Sequence, residues 1–318
     1  MTDAVKTAEK RKDDAARAAW LYFIGGKTQN EIAGQLDLSR QAVQRLVALA
    51  VSEKLIRFRL DHPIAACMEL ASRLTDRFEL QFCDVIPGDA QAPDSIAGIA
   101  VAVAMRLERL LTTKAPMVLC VGTGRTMRAA VEEMDALDRP QHKIVSLVGN
   151  MAADGHASPY DVVMRLADKL GAQRFPMPVP VITETIEDRE ALQGQRSFTL
   201  LRDLRAQARA SFVGIGEIGW NAPMHRDGFM TDADVSALAE QGAAGEITGW
   251  SFDAAGRVLP GPINDRVASL PLECPPERLT VIAGGGPGKA MPIKAALAGH
   301  LASALVTDEA TAGAVLSN

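Results

Sequence analysis

Hydrophobic positions in the first 56 residues repeat with the spacing of amphipathic helices. The first such segment, residues 13–25, places Ala16, Trp20, Phe23 and Ile24 on one side of a helix. A pair of glycines closes it, and glycine is unfavourable inside a helix but well suited to the position just past one. The pattern therefore predicts a first helix with these four side chains on its apolar face.

Two shorter helices with clear start signals follow. Thr28 and Glu31 have the spacing of a capping box, in which each side chain bonds the other residue's backbone N–H. Ile32, Ala33 and Leu36 then face inward. A short turn leads to Ser39, which is a favourable N-cap for a third helix.

The third helix separates an apolar stripe from a polar surface. Val43, Leu46, Val47 and Ala50 lie at helical spacing and form the predicted buried side. Arginine and glutamine side chains, which can make bidentate contacts with base edges, remain on the outer side of its first half. Two short helices joined by a tight turn predict a helix-turn-helix, although a plain three-helix bundle with a solvated face is the alternative. The predicted DNA-binding residues include basic residues of a following turn and strand that would act as a wing. The full predicted set is Thr28, Ser39, Arg40, Gln41, Gln44, Arg45, Lys54 and Arg57.

From residue 61 onward the pattern changes to alternating strands and helices. Residues 61–81 form a predicted linker helix, so the expected domains are 1–60 and 61–318. Alternation of this kind predicts an α/β domain with a mainly parallel sheet. The predicted strands are 83–86, 117–121, 144–148, 212–215, 279–283 and 304–307, and the predicted helices are 95–111, 127–137, 160–170, 198–208, 232–240 and 290–297.

Four loops at predicted strand ends have unusual compositions. Residues 122–126 (Gly-Thr-Gly-Arg-Thr) run into a helix, and residues 214–219 and 283–289 are also rich in glycine. Lys289 at a helix start suits an anionic ligand better than it suits the helix dipole. The fourth loop, residues 307–311, is better explained by helix capping. Together these loops predict one shared pocket for a polyol or a phosphate at the carboxyl edge of the sheet.

Charge and composition narrow the possible classes of function. Residues 1–60 contain eleven Lys and Arg against seven Asp and Glu, whereas the remainder contains 23 against 32. A basic N-terminal segment followed by an acidic remainder is typical of a DNA-binding module joined to a domain with another function. The four cysteines are scattered without metal-ligand spacing, and no nucleotide-binding signature is present. We therefore expect a cytoplasmic protein with no metal, no cofactor and no membrane partner.

These motifs, in this order, resemble those of the SorC family of sugar-responsive bacterial transcriptional regulators. The resemblance covers nearly the whole chain and includes VGTGRT at 121–126, FVGIGEIG at 212–219, GAAGEITGWSFDAAG at 242–256, AGGGPGK at 283–289 and LVTDEATAGAVL at 305–316. It implies a winged helix-turn-helix followed by a Rossmann-like α/β domain similar to sugar-phosphate isomerases and deaminases. It further implies a homotetramer, a dimer of dimers, that binds double-stranded operator DNA and responds to a sugar, a polyol or a sugar phosphate.

The resemblance also implies a set of effector-binding residues. Lys289 and the arginines would bind phosphate, and Glu246 would bind sugar hydroxyls. The full expected set is Gly122, Thr123, Gly124, Arg125, Thr126, His156, Glu217, Arg226, Glu246, Lys289 and Asp308.

One departure from the deaminase-like enzymes favours a sensor. Their Asp-Gly-His signature is replaced here by Ile218, Gly219 and Trp220. Without an acid/base pair, no catalytic residue is expected. A sugar-phosphate isomerase or deaminase with an accessory helical head, and a protein-interaction module, remain the alternatives.

Overall fold

The computed structural model describes residues 3–56, 65–89, 91–92, 95–152 and 155–317, and for residues 3–9 it describes the backbone only. The chain divides into two compact units, residues 1–62 and 63–318. No helix among the described residues combines the length and the apolar character needed to cross a membrane.

The described part of the first unit contains three helices around a small core: α1 (Asp3–Phe23), α2 (Gln29–Leu36) and α3 (Arg40–Ser52). Both cap predictions are confirmed. The Thr28 N–H donates to the Glu31 carboxylate over 2.7 Å, and the Glu31 N–H donates back to the Thr28 hydroxyl over 3.4 Å. Ser39 Oγ accepts from the Ala42 N–H over 3.2 Å. Ile32, Val43 and Val47 are buried, as predicted.

The predicted apolar face of α1 is wrong. The side chains of Ala15, Ala18, Ala19 and Leu21 are buried, whereas Trp20 is 54% exposed and Ile24 is 69% exposed. The small alanine side chains allow α1 to lie close to α3, and burial of this face turns Trp20 and Ile24 outward. The predicted wing covers residues 53–59, of which 53–56 form a turn and bend and 57–59 lie outside the described residues.

The second unit is a three-layer α/β fold. Within the residues described, its main sheet has seven parallel strands in the order β1-β9-β8-β5-β2-β3-β4, and β6 pairs with β7 in a separate antiparallel hairpin. The strands are β1 (Phe82–Ile86), β2 (Val118–Val121), β3 (Lys143–Ser146), β4 (Gln173–Phe175), β5 (Ala208–Gly214), β6 (Ala243–Ile247), β7 (Trp250–Asp253), β8 (Leu279–Ala283) and β9 (Ala304–Asp308). The helices are α4 (Ala65–Phe78), α5 (Ala97–Leu111), α6 (Arg125–Glu133), α7 (Val162–Leu170), α8 (Ile186–Gln193), α9 (Arg196–Ala206), α10 (Pro223–Arg226), α11 (Asp232–Glu240), α12 (Ala290–Ala298) and α13 (Glu309–Ser317).

Alternate residues of the strands face two different hydrophobic layers. Leu119 and Val121 pack with α5, α6 and α7, while Val118 and Cys120 pack with α4, α9, α12 and α13. This period-two burial on both faces is typical of a parallel sheet covered by helices. The predicted α/β class is therefore confirmed.

The six predicted strands are present, with shifted ends at several of them. β3 ends at Ser146, earlier than predicted, and β5 starts at Ala208, earlier than predicted. The elements β4, β6, β7, α8 and α10 were not predicted. They are short, and β4 and α8 bury few side chains, so periodicity gives little signal there.

Candidate functional site

Loops at the carboxyl ends of β2, β5 and β8 line a cavity of about 400 Å³. These strands are neighbours in the centre of the sheet, and open parallel sheets bind ligands at this edge. The volume lies in the range of small-molecule sites, which is about 300–1,000 Å³.

One side of the cavity is the start of α6. Gly124 occupies the N-cap with φ of 115°, a conformation that favours glycine, and no side chain caps the helix there. Arg125 and Thr126 form the first turn and line the cavity. Thr123 donates its hydroxyl to the Tyr160 carbonyl over 2.5 Å, which fixes the preceding turn.

The opposite side presents Glu246 from the β6–β7 hairpin. Gly216 and Glu246 exchange two backbone hydrogen bonds of 2.9 Å, and the carboxylate lies directly against Gly216. A Cβ atom at that glycine would stand only 1.9 Å from Glu246 Oε1. Glu246 Oε2 accepts from the Gly249 N–H over 2.9 Å, and burial raises the pKa of Glu246 above its ordinary value.

Glu217 and Lys289 add a carboxylate and a cation to the lining. The Glu217 carboxylate fills the space beside Gly288, where a Cβ would stand 1.7 Å from its Oε2. Lys289 is the N-cap residue of α12. Burial is the largest effect on Lys289 and lowers its pKa below the ordinary value. The nearby negative charges of Glu217 and Glu246 partly offset this effect, and the positive charge of Arg125 adds to it.

Three of these charged groups lack protein partners in the part of the chain that the structure describes. No hydrogen bond or ion pair joins Arg125, Glu217 or Lys289 to another described residue through its side chain. Of these three, Glu217 and Lys289 are half-buried and Arg125 is exposed, and half-buried polar groups are normally satisfied. A polar ligand would supply the missing partners.

Asp308 has a different position. Its carboxylate lies against Gly285 and accepts from the Gly286 N–H over 2.9 Å. It also accepts from the N–H and the hydroxyl of Thr311, each over 2.8 Å. Asp308 therefore holds the 284–288 loop against α13 and does not line the cavity.

The structure brings most of the predicted effector residues together. Thr123, Gly124, Arg125, Thr126, Glu217, Glu246 and Lys289 all line the cavity. Gly122, His156, Arg226 and Asp308 do not. The Gly122 N–H donates to the Phe212 carbonyl over 2.8 Å, which extends the pairing of β2 with β5 by one bond. His156 and Arg226 are exposed.

The sequence did not predict every residue that lines the cavity. Met224, Asp227 and Phe229 come from the irregular segment around α10 and form a wall of the cavity, and Tyr160 lines it from the turn before α7. No periodicity marks these positions. Among the described residues, no group of three or more His, Cys, Asp or Glu side chains has the arrangement of a metal site.

Four of the predicted DNA-contacting residues lie on one surface of α3. Arg40, Gln41, Gln44 and Arg45 are exposed, while the buried stripe faces α1 and α2. Arg45 donates Nε to the Gln41 carbonyl over 3.3 Å. Lys54 follows α3 in a left-handed turn conformation, with φ of 53°, and Arg57 lies outside the described residues.

Comparisons with known proteins agree on one kind of molecule. Residues 62–317 match the family model described as "Putative sugar-binding domain". The erythritol catabolism regulatory protein EryD of Brucella abortus (strain 2308) is 34% identical over 304 residues, covering 95% of this chain and 96% of that protein. The transcriptional regulator LsrR of Escherichia coli (strain K12) is 29% identical over 317 residues, covering 96% and 95%.

Solved structures share the same architecture. The full-length sorbitol operon regulator SorC of Klebsiella pneumoniae aligns with a TM-score of 0.70 at 19% identity, covering 98% of both chains. A domain of a possible sugar-binding transcriptional regulator from Arthrobacter aurescens TC1 aligns with a TM-score of 0.72 at 22% identity, covering 81% of this chain and all of that one.

Proposed function

Since the chain belongs to the SorC family of transcriptional regulators with a sugar-binding domain, we propose that it controls a carbohydrate or polyol catabolic operon in response to a small effector. Its relatives carry the names of regulators and not of enzymes. The observation that carries the proposal is that one unit has an exposed Arg/Gln surface on α3 and the other unit has a cavity lined by charged groups.

The first unit binds double-stranded operator DNA through α3. Arg40, Gln41, Gln44 and Arg45 read base edges in the major groove, and Thr28 and Ser39 contact phosphates from the helix starts. Lys54 and Arg57 add backbone contacts. Because this unit has a positive balance of charge, its DNA affinity falls as the salt concentration rises.

The cavity of the second unit binds the effector. Thr123, Gly124, Arg125 and Thr126 bind it on one side, and Glu217, Glu246 and Lys289 bind it on the other. EryD is named for erythritol catabolism, and the similarity to it favours a polyol or sugar pathway. The protein acts in the cytoplasm as a dimer of dimers, and two heads occupy half-sites about 34 Å apart or a multiple of that distance.

Fluorescence anisotropy with duplex DNA from upstream of the protein's own gene tests the DNA-binding role. Arg45→Ala removes a bidentate base contact and should weaken specific binding by about 1–3 kcal/mol. Arg209→Ala removes an exposed arginine of the second unit and serves as the matched control. Equal operator affinity for both variants and the unmodified protein would rule out base reading by Arg45.

A further inference from the structure

One wall of the cavity is a segment that makes its backbone hydrogen bonds within itself. Residues 218–231 run from the loop after β5 to the start of α11 and contain α10. The N–H groups of Phe229 and Met230 both donate to the Met224 carbonyl, over 2.9 and 2.8 Å. Among the described residues, no backbone hydrogen bond joins residues 218–230 to another segment. The segment can therefore leave the rest of the domain without breaking a backbone hydrogen bond outside itself.

The other walls of the cavity are fixed to the sheet by backbone hydrogen bonds. The loop after β8 is tied to β9, because the Gly284 N–H donates to the Val306 carbonyl over 3.1 Å. The hairpin wall is tied to the loop after β5 by the two bonds between Gly216 and Glu246. Local opening concentrates where few bonds hold a segment, and the lids of ligand sites are segments of this kind. Residues 218–231 are thus the wall best suited to move.

Side chains of this segment cover the cavity and also attach the segment to the domain. Met224, Asp227 and Phe229 line the cavity. Phe229 and Met230 are buried in one hydrophobic cluster with Val235 of α11. Burial of apolar surface is favourable but non-directional. These contacts hold the segment on the domain without fixing the position of its polar turn.

His225 makes the directional contact between this segment and α11. Its Nδ1 lies 2.8 Å from the Trp220 carbonyl oxygen, and its Nε2 lies 2.7 Å from a carboxylate oxygen of Asp232. A carbonyl and an ionised carboxylate only accept hydrogen bonds, and a neutral imidazole has one N–H whereas the protonated ring has two. Both bonds therefore form together only when His225 is protonated. In agreement, they raise the pKa of His225 above its ordinary value.

Asp232 is the charged group of the described residues that acts on the ring from outside the segment. The next carboxylate of α11, that of Asp234, is already paired with the Arg266 guanidinium over 2.7 Å. Within the segment, Arg226 is exposed and Asp227 lines the cavity. The contact between the segment and α11 therefore depends on the ring and on Asp232.

We propose that residues 218–231 form a lid over the cavity, which His225 in its protonated form latches to Asp232 of α11 and which opens when His225 loses its proton. Access to the cavity then responds to pH in the range where histidine titrates. The inference rests on the proposed function for the role of the cavity as an effector site, but its test requires neither effector nor DNA.

Hydrogen exchange of the full-length protein, measured by mass spectrometry, follows the opening of the lid. Protection of the amides of residues 228–230, corrected for the intrinsic exchange rate, should fall roughly threefold between pH 6 and pH 9. His225→Gln and Asp232→Ala should each give the lower protection at both pH values, and the double variant should lose no more than either single one. His300→Asn, at an exposed histidine in a left-handed turn, is the control and should behave as the unmodified protein.

Chemical labelling of Lys289 shows whether the same opening uncovers the cavity. At pH 6.5, acetylation of Lys289 by an N-hydroxysuccinimide ester should be about threefold faster in His225→Gln than in the unmodified protein. Lys294 lies further along α12 and outside the cavity lining. It should react at the same rate in all variants.

Two kinds of result would overturn the inference. Equal protection of residues 228–230 in His225→Gln and in the unmodified protein at pH 6, or a fall shared with the amides of 235–240, would show that the segment does not open by itself. Faster exchange of the lid amides with unchanged labelling of Lys289 would show that its opening does not uncover the cavity. Either result leaves the proposed function standing, since the anisotropy measurements test DNA binding separately.

Discussion

Replacing Gly216 by Ala adds one methyl group at the point where the cavity depends most on a missing side chain. The new Cβ would stand 1.9 Å from Glu246 Oε1 and 2.7 Å from its Cδ, so the carboxylate must move. The φ of Gly216 lies outside the left-handed region, so backbone strain does not contribute. The effect of the substitution is therefore specific to the position of Glu246.

The magnitude follows from the contacts that the movement breaks. Displacing Glu246 forces local repacking and leaves the Gly249 N–H without its 2.9 Å acceptor. Such changes cost roughly 1–3 kcal/mol, which corresponds to a fall in melting temperature of about 2–12 °C for a unit of this size. Because the displaced carboxylate also binds the effector, we expect the ligand-induced rise in melting temperature to disappear.

Differential scanning calorimetry with and without effector measures both effects. Gly313→Ala is the matched control, since nothing lies within 4 Å of an added Cβ at that position of α13, and it should raise stability by up to about 1 kcal/mol. In the Glu246→Ala background the clash is absent, so Gly216→Ala should cost much less there. If Gly216→Ala lowers the melting temperature equally in both backgrounds, Glu246 is not the group that requires glycine at 216.

Three hydrogen-bond arrangements outside the cavity lining give further tests. His225 donates to Asp232 over 2.7 Å and to the Trp220 carbonyl over 2.8 Å, and these bonds raise the pKa of His225 above 6.5. The stabilisation that the protonated ring gives is therefore present below pH 6.5 and is lost as the pH rises through the raised pKa. His225→Gln should accordingly lower the melting temperature at pH 5.5 and change it little at pH 9. Thr28→Ala should destabilise α2 by about 1 kcal/mol, measured by hydrogen exchange of its amides, while Thr28→Ser should not. Asp308→Ala leaves the Gly286 N–H and the Thr311 N–H without this acceptor, and should cost about 2–3 kcal/mol in urea unfolding; a cost below 0.5 kcal/mol would contradict the role given to Asp308.

Local signals made the helix-turn-helix and much of the sheet predictable. A capping box and an N-cap depend on residues three apart, so Thr28 and Ser39 could be identified without tertiary information. The strand Leu279–Ala283 and the helix Asp232–Glu240 were also predicted with the ends that the structure shows. Both have a clear apolar pattern and clear flanking residues.

The face of α1 was not predictable in the same way because burial there depends on close helix packing. Sequence patterns give most weight to large apolar side chains such as Trp20. The face of α1 that is buried instead carries Ala15, Ala18 and Ala19 together with Leu21, because α1 and α3 approach closely. The hairpin β6–β7 was missed for a related reason, since its first strand, Ala-Ala-Gly-Glu-Ile, has low strand propensity.

The cavity was located through its glycine-rich loops, but the purpose of those glycines was not evident from the sequence. Gly216 and Glu246 are 30 positions apart, and Gly288 and Glu217 are 71 apart. Only the fold shows that each glycine makes room for the carboxylate of the other loop. For the same reason Asp308 looked like a ligand residue, although its carboxylate is engaged within the protein.

Effector-dependent DNA binding tests the central claim most directly. In this measurement, the full-length protein is titrated against labelled upstream duplex at fixed salt, with and without a saturating concentration of the effector identified by calorimetry. We expect at least a tenfold difference in DNA affinity, about 1.4 kcal/mol, and its loss in Glu246→Ala with ligand-free DNA binding retained. A DNA affinity that is identical with and without bound ligand would contradict the account.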